Sequence, residues 1–367
     1  MNLENLETPA LVLDASIMEA NVDRLRGRVR APGPVLRPHV KTAKSIEVAR
    51  RCWEEDLGGP GGITVSTLAE AEYFAGHGVR DILYAVGIAP NKLAHVADLR
   101  RRGVNLAVVL DNLEQARFVG DLPVLIEVDC DGHRSGVKPD DPGLVELARA
   151  VANLRGVMTH AGSSYSCRSV SAIETVAETE RKSVVQAAQR LRAAGMAAPV
   201  VSVGSTPTAT YARRFDGVTE VRAGVFVFFD LVMAGISVCR TEDIALSVAA
   251  TVIGHQPEKG WAITDAGWMA LSRDRGTASQ PLDQGYGVVC DADGRPLEDV
   301  VVVDANQEHG ILAHRSGDAS RMPRLAVGAL LRILPNHACA TAAQHACYHV
   351  VRGSRRVEAR WERTGGW

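Results

Sequence analysis

The sequence predicts an α/β chain in two parts. A (β/α)8 TIM barrel over residues 15–235 is followed by an antiparallel β domain over 236–367, which the first strand, within residues 1–14, joins. Three observations lead there. Eight short apolar runs alternate with helical patterns through the first part of the chain. The alternation then gives way to strand-like runs separated by turns, with no long helical pattern. Polar residues gather just after the carboxyl ends of the eight runs, the face on which barrel enzymes keep their chemistry.

In order, Thr8–Asp14 reads as a first strand, and Ile17, Ala20, Val22 and Leu25 then recur at helical spacing up to a break at Pro32-Gly33-Pro34. The eight barrel runs are Val35–Thr42, Gly62–Ser66, Ile82–Val86, Leu106–Leu110, Val124–Val128, Gly156–His160, Val200–Gly204 and Glu220–Val225. Between them, Ala69–Gly76, Lys92–Arg102, Gly143–Leu154 and Ala172–Ala194 are rich in Ala, Leu, Glu and Arg and long enough for crossover helices. A doubly wound open sheet is the alternative, but it rarely needs eight such regular units. Further on, Ala245–Gly254, Trp261–Gly267, Val300–Asp304 and Leu330–Pro335 follow one another as strands and turns. The first strand precedes the barrel's leading helix and is assigned to this second domain because chain ends often lie close together.

A barrel takes roughly 250 residues, and the 367 residues here leave room for another domain. Apolar residues make up 46% and charged residues 23%, a globular balance, and the formal charge of −2 gives no electrostatic case for nucleic acid or an anionic membrane. A small-molecule partner is the expectation. Seven cysteines, an odd number without paired spacing, read as reduced thiols. The acidic start, Met1–Glu7, lacks the basic region and apolar core of a signal peptide, and no apolar run is long enough to span a bilayer, so a cytoplasmic location is expected.

Lys41 ends the first barrel run, Val35-Leu36-Arg37-Pro38-His39-Val40-Lys41. An ammonium there reads equally as a desolvated nucleophile with a lowered pKa, able to form a Schiff base, and as a lysine snorkelling to solvent. Gly204-Ser205-Thr206 before a short helix is a phosphate cradle or an ordinary turn and cap, and Arg222-Ala223-Gly224 can complete the cradle through backbone near Gly224. Arg134, in Asp129-Cys130-Asp131-Gly132-His133-Arg134, pairs with Asp129 or Asp131, or faces a ring nitrogen or carboxylate. Lysine, phosphate loop and arginine together fit the aldehyde, phosphate and ring nitrogen of pyridoxal phosphate. His337 and Cys339, two apart in a segment read as extended, point to one side and suit zinc, against the alternative of a buried cysteine beside a polar histidine. Such incomplete protein ligation, with water or substrate in the other positions, is what a catalytic metal needs. His345, Cys347 and His349 alternate in the next run and rank below that pair.

The stretches Arg37–Thr42, Asp131–Gly136, His160–Tyr165, Val203–Thr208, Gln307–Gly310 and Pro335–Cys339 resemble the fold-type III pyridoxal-phosphate lyases, the D-serine dehydratase and D-threonine aldolase family, over nearly the whole chain. The resemblance implies an alanine-racemase-like barrel with a β domain, working as a homodimer. It implies Lys41 as the Schiff-base lysine and Arg134 as partner of the cofactor ring. Tyr165, Gly204, Ser205, Thr206 and Gly224 become phosphate and pocket residues. His337 and Cys339 become ligands of a divalent metal, zinc first, with manganese, cobalt or magnesium as alternatives. The family's aldolase branch has an aspartate in its metal motif where this chain has Cys339, and often a histidine where it has Ser163, so both departures favour dehydration. The implied reaction is β-elimination of water from a D-3-hydroxy amino acid (D-threo-3-hydroxyaspartate, D-serine or D-threonine) to a 2-oxo acid and ammonia, with Lys41 taking the α-proton. Retro-aldol cleavage, racemisation and a non-catalytic cofactor carrier are the rivals. Arg273 and Arg275 are the cations proposed for a second substrate carboxylate, against an ordinary surface loop.

Overall fold

The structure is a computed structural model and describes residues 1–29, 33–53 and 62–367. Pro32, in the predicted break, lies outside the described residues. The chain divides into two compact units, residues 23–224 with 364–367 and residues 1–22 with 225–363.

The elements follow in chain order as β1 (Ala10–Asp14), α1 (Ala15–Val29), β2 (Val35–Leu36), α2 (Ile46–Cys52), β3 (Ile63–Val65), α3 (Leu68–Gly76), β4 (Asp81–Gly87), α4 (Leu93–Arg101) and β5 (Asn105–Leu110). Then come α5 (Leu113–Ala116), β6 (Val124–Val128), α6 (Gly143–Ala150), β7 (Leu154–Thr159), α7 (Val170–Ala193), β8 (Val200–Val203), α8 (Thr206–Tyr211) and β9 (Glu220–Val221). In the first unit β2 to β9 form an eight-stranded parallel sheet in the order β2-β9-β8-β7-β6-β5-β4-β3. A parallel bridge between His39 and Thr64 joins its two edges: Val40 N–H donates to Thr64 O and Thr64 N–H to Pro38 O, both at 2.9 Å. The ring is thereby closed, as the alternating runs predict.

Strands such as β6, Val-Leu-Ile-Glu-Val, are buried along their whole length, and helices start at polar caps, with Thr67 accepting from Glu70 N–H, Ser169 from Ala172 and Ser205 from Thr208. Leu83, Val109, Leu125 and Met158 pack together, with Ala85, Ala107 and Val200 against them. Two boundaries differ from the sequence reading. Helix α6 stops at Ala150 and Leu154 already opens β7, because Gly156 and the apolar residues after it pair with β8. Strand β2 is only two residues long, with Val35 56% exposed.

The second unit continues with α9 (Leu231–Gly235), β10 (Leu246–Gln256), β11 (Trp261–Thr264), α10 (Trp268–Leu271), β12 (Gly287–Cys290), β13 (Pro296–Ala305), β14 (Gly310–His314), β15 (Leu330–Pro335), α11 (Ala338–Ala342), β16 (Cys347–Val351) and β17 (Ala359–Glu362). Its sheet runs β11-β14-β13-β12-β15-β10-β1-β16-β17, and a further pairing of β11 with β10 closes six of these strands into an antiparallel barrel. The long β10 can serve three neighbours because its ladder shifts register between Val252 and Gly254. One pair is parallel, β1 with β16. Leu3, Ala10, Val12, Ala249 and Val351 form a buried cluster under this sheet. All seven cysteines are free thiols, and among the described residues no helix is long and apolar enough to cross a membrane.

Candidate functional site

Lys41 is exposed in a turn beyond β2, which fits the solvent-reaching alternative and not a side chain desolvated in a buried strand. Backbone pairing runs past Pro38 through His39, whose N–H donates to Ala223 O at 2.8 Å, to Val40, and the chain turns only there, with Lys44 N–H donating to Val40 O at 2.7 Å. Beside Lys41, His39 is half-buried, and its fully buried Nδ1 has no hydrogen-bond partner. Burial holds this imidazole well below the ordinary histidine range, and the charges of Lys41, Arg222 and Arg134 and the neighbouring His160 add to the effect. His160, at the end of β7, is pushed down to about 3 by burial and by the charges of Arg134, Lys41 and Arg222, against a hydrogen bond between its Nδ1 and Gly204 O. Lys41, Arg134 and Arg222 therefore act together on two neutral imidazoles at the carboxyl ends of the strands.

Arg134 is half-exposed and pairs neither with Asp129 nor with Asp131, the partners its sequence allows, but with Glu127 on β6, at 3.1 Å. The two aspartates organise the loop instead. Asp129 accepts from Gly132 N–H at 2.7 Å, and Asp131 accepts from Ser163 N–H at 2.8 Å, tying this loop to the one after β7. Tyr165 lies in that second loop, its ring 6.1 Å from the ring of His160.

Gly204, Ser205 and Thr206 open α8 and are all buried. Ser205 Oγ accepts from Thr208 N–H and bonds Ser164 Oγ at 2.9 Å, so its side chain does act as a cap. A Cβ at Gly204 would fall 2.0 Å from Arg222 O, so that position is open only to glycine, and one at Gly224 would be tight, 3.0 Å from His39 O. Glu180 of α7 stitches the cradle from behind, accepting from Ala161 N–H at 3.0 Å and Gly204 N–H at 3.1 Å. Burial raises its carboxyl, while hydrogen bonds from Thr208, Ala161 and Gly204 pull the other way. Arg222 is buried, donating to Ser202 Oγ and, at 2.6 Å, to Thr159 O. Sequence reading used its neighbour Gly224 and missed Arg222 itself, together with Glu127, Glu180, His39 and His160.

In the second unit, His337 is the cap residue before α11 and Cys339 sits in that helix's first turn, so the predicted extended segment is instead a turn into a short helix. Its alanines, Ala338, Ala340 and Ala342, favour the helix once Pro335 has ended β15. The two side chains still meet, since Cys339 hydrogen-bonds the His337 side chain. Burial alone would lower this imidazole, but Asp274, at 2.6 Å from Nδ1, then Cys339 and Asp230 raise it well above the ordinary value. Asp230 accepts from Ala338 N–H and Met233 N–H, each at 2.9 Å, which pins the turn. Among the described residues no group of three or more His, Cys, Asp or Glu is arranged to hold a metal. Cys347 and His349 share a face of β16 at 4.0 Å, while His345 precedes the strand and bonds Ala270 O at 3.0 Å. Arg273 stacks on Trp268, and Arg275 is paired with Asp283 at 2.6 Å.

The barrel mouth fits an anionic, aromatic cofactor on three observations: an orphaned buried nitrogen on His39, three cations acting together, and a loop in which Gly204 leaves no room for a Cβ. An alanine-racemase-like barrel of this kind, followed by a β unit carrying a His–Cys pair, defines a class. The chain matches the family model for the alanine racemase N-terminal domain over residues 13–232 and that for a putative serine dehydratase domain over 245–351. It belongs to the fold-type III pyridoxal-phosphate-dependent D-serine dehydratase and D-threonine aldolase family.

Within that family it is 53% identical over 380 aligned residues, covering 100% of this chain and 99% of the relative, to D-threo-3-hydroxyaspartate dehydratase of Delftia sp. (strain HT23). The solved structure of that dehydratase superposes with a TM-score of 0.94, covering 100% of both chains. Solved forms of it include alanine variants at a histidine and at a cysteine two positions further on, the latter metal-free. D-serine dehydratase of Dictyostelium discoideum is 29% identical, covering 97% of this chain and 96% of its own. The structure of D-threonine aldolase from Filomicrobium marinum is 27% identical with a TM-score of 0.82, covering 99% of this chain and 96% of that one.

Proposed function

We propose that this protein is a pyridoxal-phosphate- and divalent-metal-dependent dehydratase, converting a D-3-hydroxy amino acid, D-threo-3-hydroxyaspartate foremost, to a 2-oxo acid and ammonia. The observation that carries the reading is the presence in one chain of the cationic mouth at Lys41 and a hydrogen-bonded His337–Cys339 pair. The 53% identity to a dehydratase of this specificity supports it, as does that enzyme's metal-free variant at a cysteine spaced from a histidine as Cys339 is from His337.

Bound pyridoxal phosphate supplies an electron sink for the pair left at Cα. Lys41 Nζ would hold the cofactor and, when not engaged with it, would take the α-proton; its exposure in a turn leaves it free to swing between those tasks. Arg134, with Glu127 fixing its fork, and buried Arg222 face the negative charge of cofactor and substrate. Gly204, Ser205, Thr206 and Gly224 let backbone approach a phosphate, and Tyr165 closes the pocket beside His160. His337 and Cys339 would hold a divalent metal, zinc foremost, whose Lewis acidity assists loss of the 3-hydroxyl. Losing the Cα proton and the Cβ hydroxyl gives an enamine that hydrolyses to the 2-oxo acid and ammonia. The barrel at 15–235 is the cofactor domain and 1–14 with 236–367 the metal domain in this reading, and the active form is a homodimer, as the family resemblance implies.

The test is a panel of D-threo-3-hydroxyaspartate, D-serine and D-threonine, with and without EDTA, read for ammonia and glycine together. Ammonia and a 2-oxo acid, suppressed by EDTA, are expected. Glycine with an aldehyde would make the protein an aldolase, and chelator-insensitive loss of optical activity a racemase.

A further inference from the structure

We propose that Asp274 is the positioning residue that orients His337 toward the divalent metal. The inference rests on the reading of His337 and Cys339 as metal ligands.

The Asp274 carboxylate lies 2.6 Å from His337 Nδ1. A carboxylate only accepts, so Nδ1 keeps its hydrogen, and Nε2 is the nitrogen left to give up a proton and take a metal. Metal-binding histidines are ordinarily held in this way by an outer carboxylate, which fixes both tautomer and ring plane.

A second carboxylate, Asp230, acts on the same imidazole but is not available for the task, since one of its oxygens takes Met233 N–H and the other Ala338 N–H. Asp230 sets the path of the His337–Cys339 turn, and Asp274 sets the ring within it. Asp274 is itself delivered by a braced loop. Its N–H donates to Ser272 Oγ at 3.1 Å, and Ser272 holds the left-handed φ of 75° that turns the chain out of α10. Three residues further on, Thr277 N–H donates to Asn336 Oδ1 at 2.9 Å, and Asn336 Nδ2 donates to Thr277 Oγ1 and to Gly285 O, both at 2.8 Å. Asn336 adjoins His337, so the two chain segments are joined on both sides of the imidazole. The two flanking arginines are engaged elsewhere, Arg273 on the Trp268 ring and Arg275 with Asp283 at 2.6 Å.

The test uses the full-length, cofactor-loaded protein, stripped of metal and titrated with zinc(II) against a chromophoric chelator. Wild type, Asp274→Asn, Asp274→Glu and His337→Ala are compared, with the thermal midpoint of each metal-free form. Asp274→Asn is expected to weaken zinc binding about 10- to 100-fold without shifting the thermal midpoint, and Asp274→Glu to recover part of it. Wild-type zinc affinity in Asp274→Asn, while His337→Ala loses it, would overturn the positioning role and leave the metal site standing. Wild-type affinity in His337→Ala would overturn the site and this inference with it. A lowered midpoint with unchanged affinity in Asp274→Asn would make Asp274 a structural clip only.

Discussion

The two ends of the parallel barrel use their charged side chains differently. At the amino ends, Arg37 spends its guanidinium on Glu220 at 2.8 Å, Asp81 at 2.7 Å and Ile63 O at 3.2 Å. At the carboxyl ends, a buried nitrogen of His39 has no partner, Arg134 is half-exposed on one carboxylate, and Lys41 stands in solvent. A native interior pairs its polar groups unless something else is meant to pair them. The satisfied end holds the barrel together, and the under-satisfied end awaits a ligand, as barrel architecture leads one to expect.

Exchanging single residues at the two ends should separate these roles. Lys41→Ala should reduce turnover by about 10⁴-fold or more, since it removes both the cofactor anchor and the α-proton base, yet melt like the wild type because its side chain is exposed. Assay of ammonia release beside a thermal scan reads both. Arg37→Leu should do the reverse. Leaving Glu220 buried without its cation costs about 3–5 kcal/mol of stability, measurable by denaturant titration, with activity per folded molecule kept. Cys339→Ala takes the comparison into the second unit: activity should fall about 10²-fold, with loss of bound metal by elemental analysis.

Acidification gives a graded version. His39 and His160 are held neutral, with His160 at about 3, whereas an unfolded histidine titrates near 6.5. Below about pH 6.5 the unfolded chain therefore binds protons that the folded chain does not. Stability should fall with falling pH down to about 3, each imidazole contributing a slope of up to about 1.4 kcal/mol per pH unit. His160→Gln should flatten that slope in pH-dependent melts. The smallest effect is expected from Glu127→Gln. It frees a half-exposed Arg134, so cofactor affinity measured by fluorescence quenching should change by less than about tenfold.

Much of this was legible in the sequence, because strand alternation is a local property. All eight parallel strands fall where apolar runs alternate with helical patterns, and the change of rhythm after residue 235 marks where antiparallel strands take over. The glycines of the cradle, Gly204 and Gly224, were readable for the same reason. What escaped depends on residues distant in sequence. Glu180 reaches Gly204 from the middle of a helix, Arg222 reaches Thr159 across 63 positions, and Asp274 reaches His337 across another 63. Each has the local look of an ordinary surface or strand charge until the fold brings its partner. Lys41 stayed open between a desolvated nucleophile and a solvent-reaching side chain for another reason: an apolar run does not reveal that the chain turns directly after Val40.

The central claim is that the under-satisfied end of the barrel holds pyridoxal phosphate on Lys41. Borohydride reduction of the cofactor-loaded protein, followed by peptide mapping by mass spectrometry, tests it directly. The account predicts the reduced cofactor fixed to the peptide containing Lys41 and absent from Lys41→Ala. Its attachment to Lys44 or Lys92 instead, or an unlabelled protein that still releases ammonia, would contradict it.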